Sequence, residues 1–168
     1  MLRRTLFAAL ALTGVITLPA VSAGATTPRV EQGSFTFPID EVDTELCGFP
    51  ISIQSQATIR FTSFLDAQGN PQRLILHFSI GEGTFSANGV SLEQGSNHNT
   101  TTVLFDTSGN PITSTFVGLD LQVFLPAGGV IIEAGRLVED GLTGTVTFEA
   151  GTRLTTADLE ALCGALSG

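Results

Sequence analysis

The sequence contains no tryptophan, tyrosine or lysine. Its aromatic residues are twelve phenylalanines, and its seven basic residues are all arginine, against sixteen Asp and Glu. Sugar-binding clefts commonly use aromatic rings that carry a polar edge, which Phe lacks, so a glycoside hydrolase is disfavoured. Binding to a phosphate backbone depends on many cations. Nucleic acid and anionic membrane surfaces are therefore excluded as partners.

Cysteine and charge are also scarce. Two cysteines exclude a disulfide-dense miniprotein and a four-cysteine zinc module. Charged residues make up 14% of the chain while hydrophobic residues make up 42%, a composition that argues against intrinsic disorder. A length of 168 residues is sufficient for one ordinary globular domain but short for two.

Residues 1–25 resemble an export signal. Arg3 and Arg4 precede an apolar run over 6–18, and Ala23 and Ala25 offer two alternative cleavage sites of the A-x-A type. As a helix this run would span about 20 Å, less than the ~30 Å of a bilayer core, so a signal peptide is favoured over an anchor. We therefore expect residues 26–168 to form a single acidic, secreted, extracellular domain with five basic and sixteen acidic residues.

Apolar and polar residues alternate with period two along most of the remaining chain, which predicts β-strands. The pattern is clearest over 51–61, 74–80 and 117–125, and the last segment would place Val117, Leu119, Leu121, Val123 and Leu125 on one face. Further strands are predicted over 34–37, 84–92 (interrupted at Asn88), 100–105, 112–116, 130–138 and 143–149. We expect an all-β fold, a single antiparallel barrel or sandwich of about eight strands.

Two local patterns complete the predicted fold. Residues 66–71 and 106–111 both read D-x-x-G-N-P, which predicts hairpin turns rather than calcium loops, since calcium requires more oxygen ligands. A short C-terminal helix is predicted after an N-cap at Thr155 or Thr156, with apolar residues at helical spacing.

Cys47 and Cys163 are predicted to form a disulfide, because oxidation is the default for an exported pair. A catalytic thiol is the alternative, but no basic residue near Cys47 would lower its pKa. The bond would connect the C-terminal helix to the N-terminal segment.

The sequence predicts no catalytic residue, no cofactor and no metal ligands. His77 is out of phase with the apolar residues around it, and His98 lies in a polar segment read as a loop, so both are interpreted as surface residues. The acidic run Asp40, Glu41, Asp43 and Glu45 is interpreted as a solvated linker, with calcium binding as the alternative. Metal-binding, serine hydrolase and phosphate-binding motifs are absent from the sequence.

Five short motifs stand out in the chain: LCGFP at 46–50, DTSGNP at 106–111, GGVIIEAGRL at 128–137, FEAG at 148–151 and LEALCGAL at 159–166. Together they resemble a family of small secreted actinobacterial proteins of unknown function. The resemblance implies an all-β fold, a structural cysteine at each end and an extracellular location. It implies no activity, ligand or catalytic residue.

Three functions remain open on the sequence. The leading hypothesis is a non-enzymatic β-barrel that binds a small apolar ligand. Eleven Phe follow residue 25, and together with the aliphatic residues they supply an apolar interior in addition to a polar outer face. A filled core explains the same residues. The alternatives are an extracellular surface or matrix interaction protein, and an enzyme with an unrecognised carboxylate or histidine site.

Overall fold

The computed structural model describes residues 28–168, and the predicted export signal over 1–25 lies outside the described residues. Residues 28–168 form nine β-strands and one α-helix: β1 (Arg29–Asp43), β2 (Ile51–Leu65), β3 (Pro71–Ile80), β4 (Gly83–Ala87), β5 (Val90–Gln94), β6 (Asn97–Phe105), β7 (Pro111–Phe124), β8 (Val130–Asp140), β9 (Val146–Thr152) and α1 (Thr156–Leu166). The predicted all-β, barrel- or sandwich-like antiparallel fold with a short C-terminal helix is confirmed.

The strands form one antiparallel sheet in which most neighbours in the sheet are also neighbours in the chain. β2 pairs with β3 over 57–65 and with β4 over 52–54, so β3 and β4 follow one another along the same edge of β2. β6 and β5 follow one another along β7 in the same way. The pairings β2–β3–β6–β7–β5–β4 therefore close into a ring, with β1 outside β2 and β8 and β9 outside β7.

The two D-x-x-G-N-P segments form the predicted turns. Asp66 Oδ1 accepts hydrogen bonds from the backbone N–H groups of Gln68 and Asn70, at 2.9 and 2.8 Å. Asp106 accepts the equivalent bonds from Ser108 and Asn110. These hydrogen bonds stabilise the ionised form and lower the pKa of both aspartates. The turns join β2 to β3 and β6 to β7.

Alternation along the strands gives the sheet a core face and an outer face. On β2 the odd-numbered residues Ile51, Ile53, Ala57 and Ile59 are buried and define the core face, as predicted. Residues paired across strands project to the same side, so Phe78 and Ile80 of β3 share this face. His77 is exposed on the outer face, as its phase predicted.

The prediction that Val117, Leu119, Leu121, Val123 and Leu125 share one face is wrong. The pairing of β7 with β8 shifts register between Leu119 and Leu121, so a β-bulge lies at Asp120. A bulge reverses the facing of all residues beyond it. Val123 is fully buried on the core face whereas Val117, before the bulge, is exposed. The structure also joins the two predicted strands over 112–116 and 117–125 into β7.

Helix α1 covers one end of the core face. Thr155 is the N-cap: its Oγ1 accepts a hydrogen bond from the Asp158 N–H, and the Asp158 carboxylate accepts one from the Thr155 N–H. Leu162 and Leu166 pack into a buried cluster, whose other members are Ile51, Ile53, Phe85, Ala87, Leu92, Val123 and Ile131. Cys47 and Cys163 form the predicted disulfide, with their Cα atoms 5.4 Å apart.

Candidate functional site

The core face is divided into three bands along the strands. The covered end is the cluster beneath α1, defined by its nine residues above. The polar band consists of Gln94, Asn97, Asn99, Asp120, Glu133 and Arg153. The open end consists of Leu74, Leu76, Phe78, Val103, Phe116 and Leu137. The polar band therefore separates two apolar surfaces.

Pairing across the sheet places the members of the polar band side by side. Asn97 pairs with Ile80, and Asn99 pairs with Phe78 and Gly118, so both amides lie on the core face. Asn99 Nδ2 donates a 2.8 Å hydrogen bond to Asp120 Oδ1. The bulge at Asp120 turns this carboxylate toward the core face.

Arg153 is the cation of the polar band. Its Nε lies 2.8 Å from Glu149 Oε1, and its Nη1 lies 3.5 Å from Glu133 Oε1. Burial raises the pKa of Asp120, while the hydrogen bond from Asn99 and the charge of Arg153 act in the opposite direction. One arginine thus lies beside three carboxyl groups, so when all of these groups are ionised the region is negative.

Two amides of the polar band are buried without hydrogen-bond partners. Asn97 is 1% exposed, and neither its Oδ1 nor its Nδ2 has a partner. Gln94 is 6% exposed, and its Oε1 also lacks one. Buried polar atoms in folded proteins are almost always paired, so these amides require an explanation.

A row of glycines continues the row of Phe78 and Asn99 across the last three strands, with Phe116 on one side of it and Asp120 on the other. Gly118, Gly135 and Gly151 pair with one another across β7, β8 and β9. Their φ angles are 146°, 152° and 116°, and a Cβ on any of them would meet the backbone of the adjacent strand. The row therefore leaves a strip of the core face without side chains.

The open end is apolar but incompletely covered. Its six side chains are all half-buried, although each points to the same side of the sheet as the fully buried residues. The rows Leu76–Thr101–Phe116–Leu137 and Leu74–Val103 make its surface continuous across β3, β6, β7 and β8. Within residues 28–168, the buried apolar cluster that includes α1 lies at the other end of this face.

The outer face of β7 and β8 carries a second apolar surface. We call it the outer patch, and its members are Phe124, Val130 and Ile132, which are exposed and lie together across the two strands. The outer face of β3 and β6 is more polar and includes His77, which hydrogen-bonds Thr100, and His98, which hydrogen-bonds Ser79. An open depression of about 440 Å³ lies elsewhere, at the β4–β5 turn over Ser86–Ser91.

Two interpretations of individual residues need correction. His98 lies in β6, not in a loop, because residues 97–99 continue the pairing with β3. Asp40, Glu41 and Asp43 belong to β1, not to a linker, since they pair with Gln54, Ile53 and Ile51 of β2. Within the described residues, no group of three or more His, Cys, Asp and Glu is arranged to hold a metal ion.

The sheet keeps the candidate acid–base residues apart. His77 and His98 project from the outer face, and Asp120 and Glu133 project from the core face. A general base works within hydrogen-bond reach of its proton, so these histidines and carboxylates cannot form one site. The polar band and the open end are thus the best candidates for binding, and reasoning from the sequence missed both as sites.

Comparison with known proteins adds no assignment. No protein-family model, curated protein or solved structure matches the chain. Among residues 28–168, no helix has the length and apolar character to cross a membrane.

Proposed function

We propose that this chain is a secreted, non-enzymatic binding protein that holds a small apolar ligand on the open end of its core face. The observation that carries the proposal is the half-burial of Leu76, Phe78 and Phe116 on the same face as a fully buried cluster. Apolar surface removed from water contributes about 25 cal/mol per Å². A ligand that covers about 200 Å² would gain on the order of 5 kcal/mol before its ordering costs.

Secretion is part of the proposal and rests on the signal-like residues 1–25. The Cys47–Cys163 disulfide is compatible with it, since disulfides persist in oxidising compartments. Membership in the family of small secreted actinobacterial proteins is likewise proposed, on the motifs over 46–50, 106–111 and 148–151.

Native mass spectrometry tests the proposal directly. Protein purified from its own host is expected to carry added mass that is lost on denaturation, and the emptied protein is expected to bind the uncharged apolar dye N-phenyl-1-naphthylamine. Phe78→Ala should weaken dye binding at least tenfold because it removes a ring from the open end. Phe64→Ala is the matched control. Phe64 is also half-buried, but it lies on the outer face, where the Cζ atom of Arg73 is 4.0 Å from the centre of the Phe64 ring.

The proposal fails if the native protein carries no added mass and the folded protein takes up no N-phenyl-1-naphthylamine. It also fails if Phe64→Ala and Phe78→Ala weaken dye binding equally. Melting temperatures of both variants, followed by circular dichroism, establish that the comparison is made between folded proteins.

The outer patch favours a second candidate, an extracellular surface or matrix interaction protein. Exposed apolar patches of this kind often mark contacts with other proteins. Ile132→Glu is then expected to abolish cross-linking to partners in culture supernatant, while Leu104→Glu, an exposed site on β6, leaves it intact. Unchanged cross-linking of Ile132→Glu would reject this candidate.

A further inference from the structure

The two unpaired amides of the polar band lie where a ligand on the open end would terminate. Asn97 pairs with Ile80, and the next row of the core face contains Phe78 beside Asn99. The apolar surface of the open end is therefore contiguous with the buried Asn97 side chain. Gln94 precedes Asn97 on the neighbouring strand β5 and shares the same face.

The hydrogen-bonding capacity of these amides is specific. Asn97 presents an unpaired donor, Nδ2, and an unpaired acceptor, Oδ1, and Gln94 adds a second acceptor, Oε1. Both side chains are more than nine-tenths buried, so bulk water does not satisfy these atoms. The nearby Asn99 is different, because its amide already donates to Asp120.

We propose that the polar band recognises the head of an amphiphile, and that this head is an uncharged hydroxyl or primary amide group. This inference rests on the proposed function, since the apolar tail of the same ligand would lie on the open end. The head would accept a hydrogen bond from Asn97 Nδ2 and donate one to Asn97 Oδ1 or Gln94 Oε1.

Charged heads fit the polar band less well. A carboxylate only accepts hydrogen bonds, so it would leave the Asn97 and Gln94 oxygens unpaired and place a negative charge near Asp120 and Glu133. Arg153 Nη2 lacks a hydrogen-bond partner, but the single positive charge of Arg153 already lies beside Glu149, Glu133 and Asp120, so the region stays net negative when all of these groups are ionised. An ammonium group only donates and would leave Asn97 Nδ2 without an acceptor.

The test compares three amphiphiles with the same tail: 1-decanol, decanoate and decylammonium, titrated at pH 7 below their aggregation limits. Each competes with the uncharged apolar dye N-phenyl-1-naphthylamine for the purified, oxidised protein. Decanol is expected to bind at least tenfold more tightly than decanoate or decylammonium. Asn97→Leu, which has nearly the same shape without polar atoms, is expected to bring the three affinities within about threefold of one another.

Two further variants make the result specific. Thr102→Val is the control, because Thr102 lies on the same strand as Asn97 but pairs with Ile75 on the outer face, away from the proposed binding surface. It should retain the tenfold preference for decanol. Gln94→Met should partly reduce the preference for decanol. This variant replaces Asn97→Leu in the test if Asn97→Leu does not unfold cooperatively.

The outcomes separate this inference from the proposed function. If none of the amphiphiles binds and N-phenyl-1-naphthylamine is not taken up, the proposed function fails. If all three bind equally and neither Asn97→Leu nor Gln94→Met changes their affinities, the open end binds apolar tails but the head-group inference is wrong. Bound water would then be the partner of the buried amides.

Discussion

The covered end and the open end of the core face are built from the same strands but differ in burial. On β7, Val123 is fully buried and Phe116 is half-buried. On β8, Ile131 is 2% exposed and Leu137 is half-buried. All four side chains are apolar, and the two at the covered end belong to the buried cluster that includes Leu162 and Leu166 of α1. Burial on this face is therefore determined by what packs on the sheet as well as by the residues in the strands.

Removal of the disulfide is expected to change the free energy of unfolding and the coverage of the covered end more than any other substitution. In the double variant Cys47→Ala, Cys163→Ala, the unfolded chain regains the entropy of a loop that spans 116 residues. The free energy of unfolding should fall by about 4–5 kcal/mol on the chain-entropy model. Urea unfolding measures the loss, and increased ANS binding would show that α1 has left the covered end. A loss below about 1 kcal/mol would contradict the loop-entropy argument, and unchanged ANS binding would show that α1 stays docked without its covalent link.

A pair of leucine truncations compares the two ends directly. Leu166→Ala removes a fully buried side chain from the covered end and should cost about 2–5 kcal/mol. Leu76→Ala removes a half-buried one from the open end and should cost about 1–2 kcal/mol. Chemical denaturation of both variants gives the two values. Equal losses would show that the open end is packed as tightly as the covered end.

The smallest expected effect concerns Asp120, between the two ends. Because burial raises its pKa in the folded protein, its contribution to stability is present at low pH and is lost as pH rises through that pKa, above about 4. Asp120→Asn retains an oxygen acceptor for Asn99 without ionising. The loss of stability between pH 4 and pH 7 should therefore be smaller in the variant.

Two other carboxyl groups change the stability of the folded protein with pH in the opposite direction to Asp120. Hydrogen bonds lower the pKa of Asp66 and Asp106, so their contribution is present above about pH 4 and is lost as pH falls. Comparing stability curves of wild type and Asp120→Asn cancels these common contributions. Superimposable curves would mean that Asp120 titrates alike in the folded and unfolded chains.

Most of the architecture could be predicted because strict alternation reports which residues share a face. Leu74, Leu76, Phe78 and Ile80 alternate without interruption, and the structure places them together as expected. The same reasoning failed on β7 because one bulged residue, Asp120, reverses the facing. A polar residue within an apolar alternation was the signal available in the sequence, but it is equally typical of an outward-facing position.

The polar band was harder to predict, since its residues come from distant parts of the chain. Asn97 and Asp120 come together only through the register of β6 and β7, which sequence spacing does not specify. One signal was available: Asn97 and Asn99 are in phase with Val103, which would place two amides on an otherwise apolar face. Reading residues 97–99 as a loop concealed that phase.

The order of the strands has a consequence for biogenesis. Neighbouring strands of the sheet largely follow one another along the chain, so hairpins can pair as the polypeptide emerges, starting from its amino-terminal side. Cys163 lies beyond β9, so its bond to Cys47 forms only after every strand has been delivered. Cys47 therefore has no partner thiol until the last strand has been made, and the bond can be added only to a chain that already contains every strand.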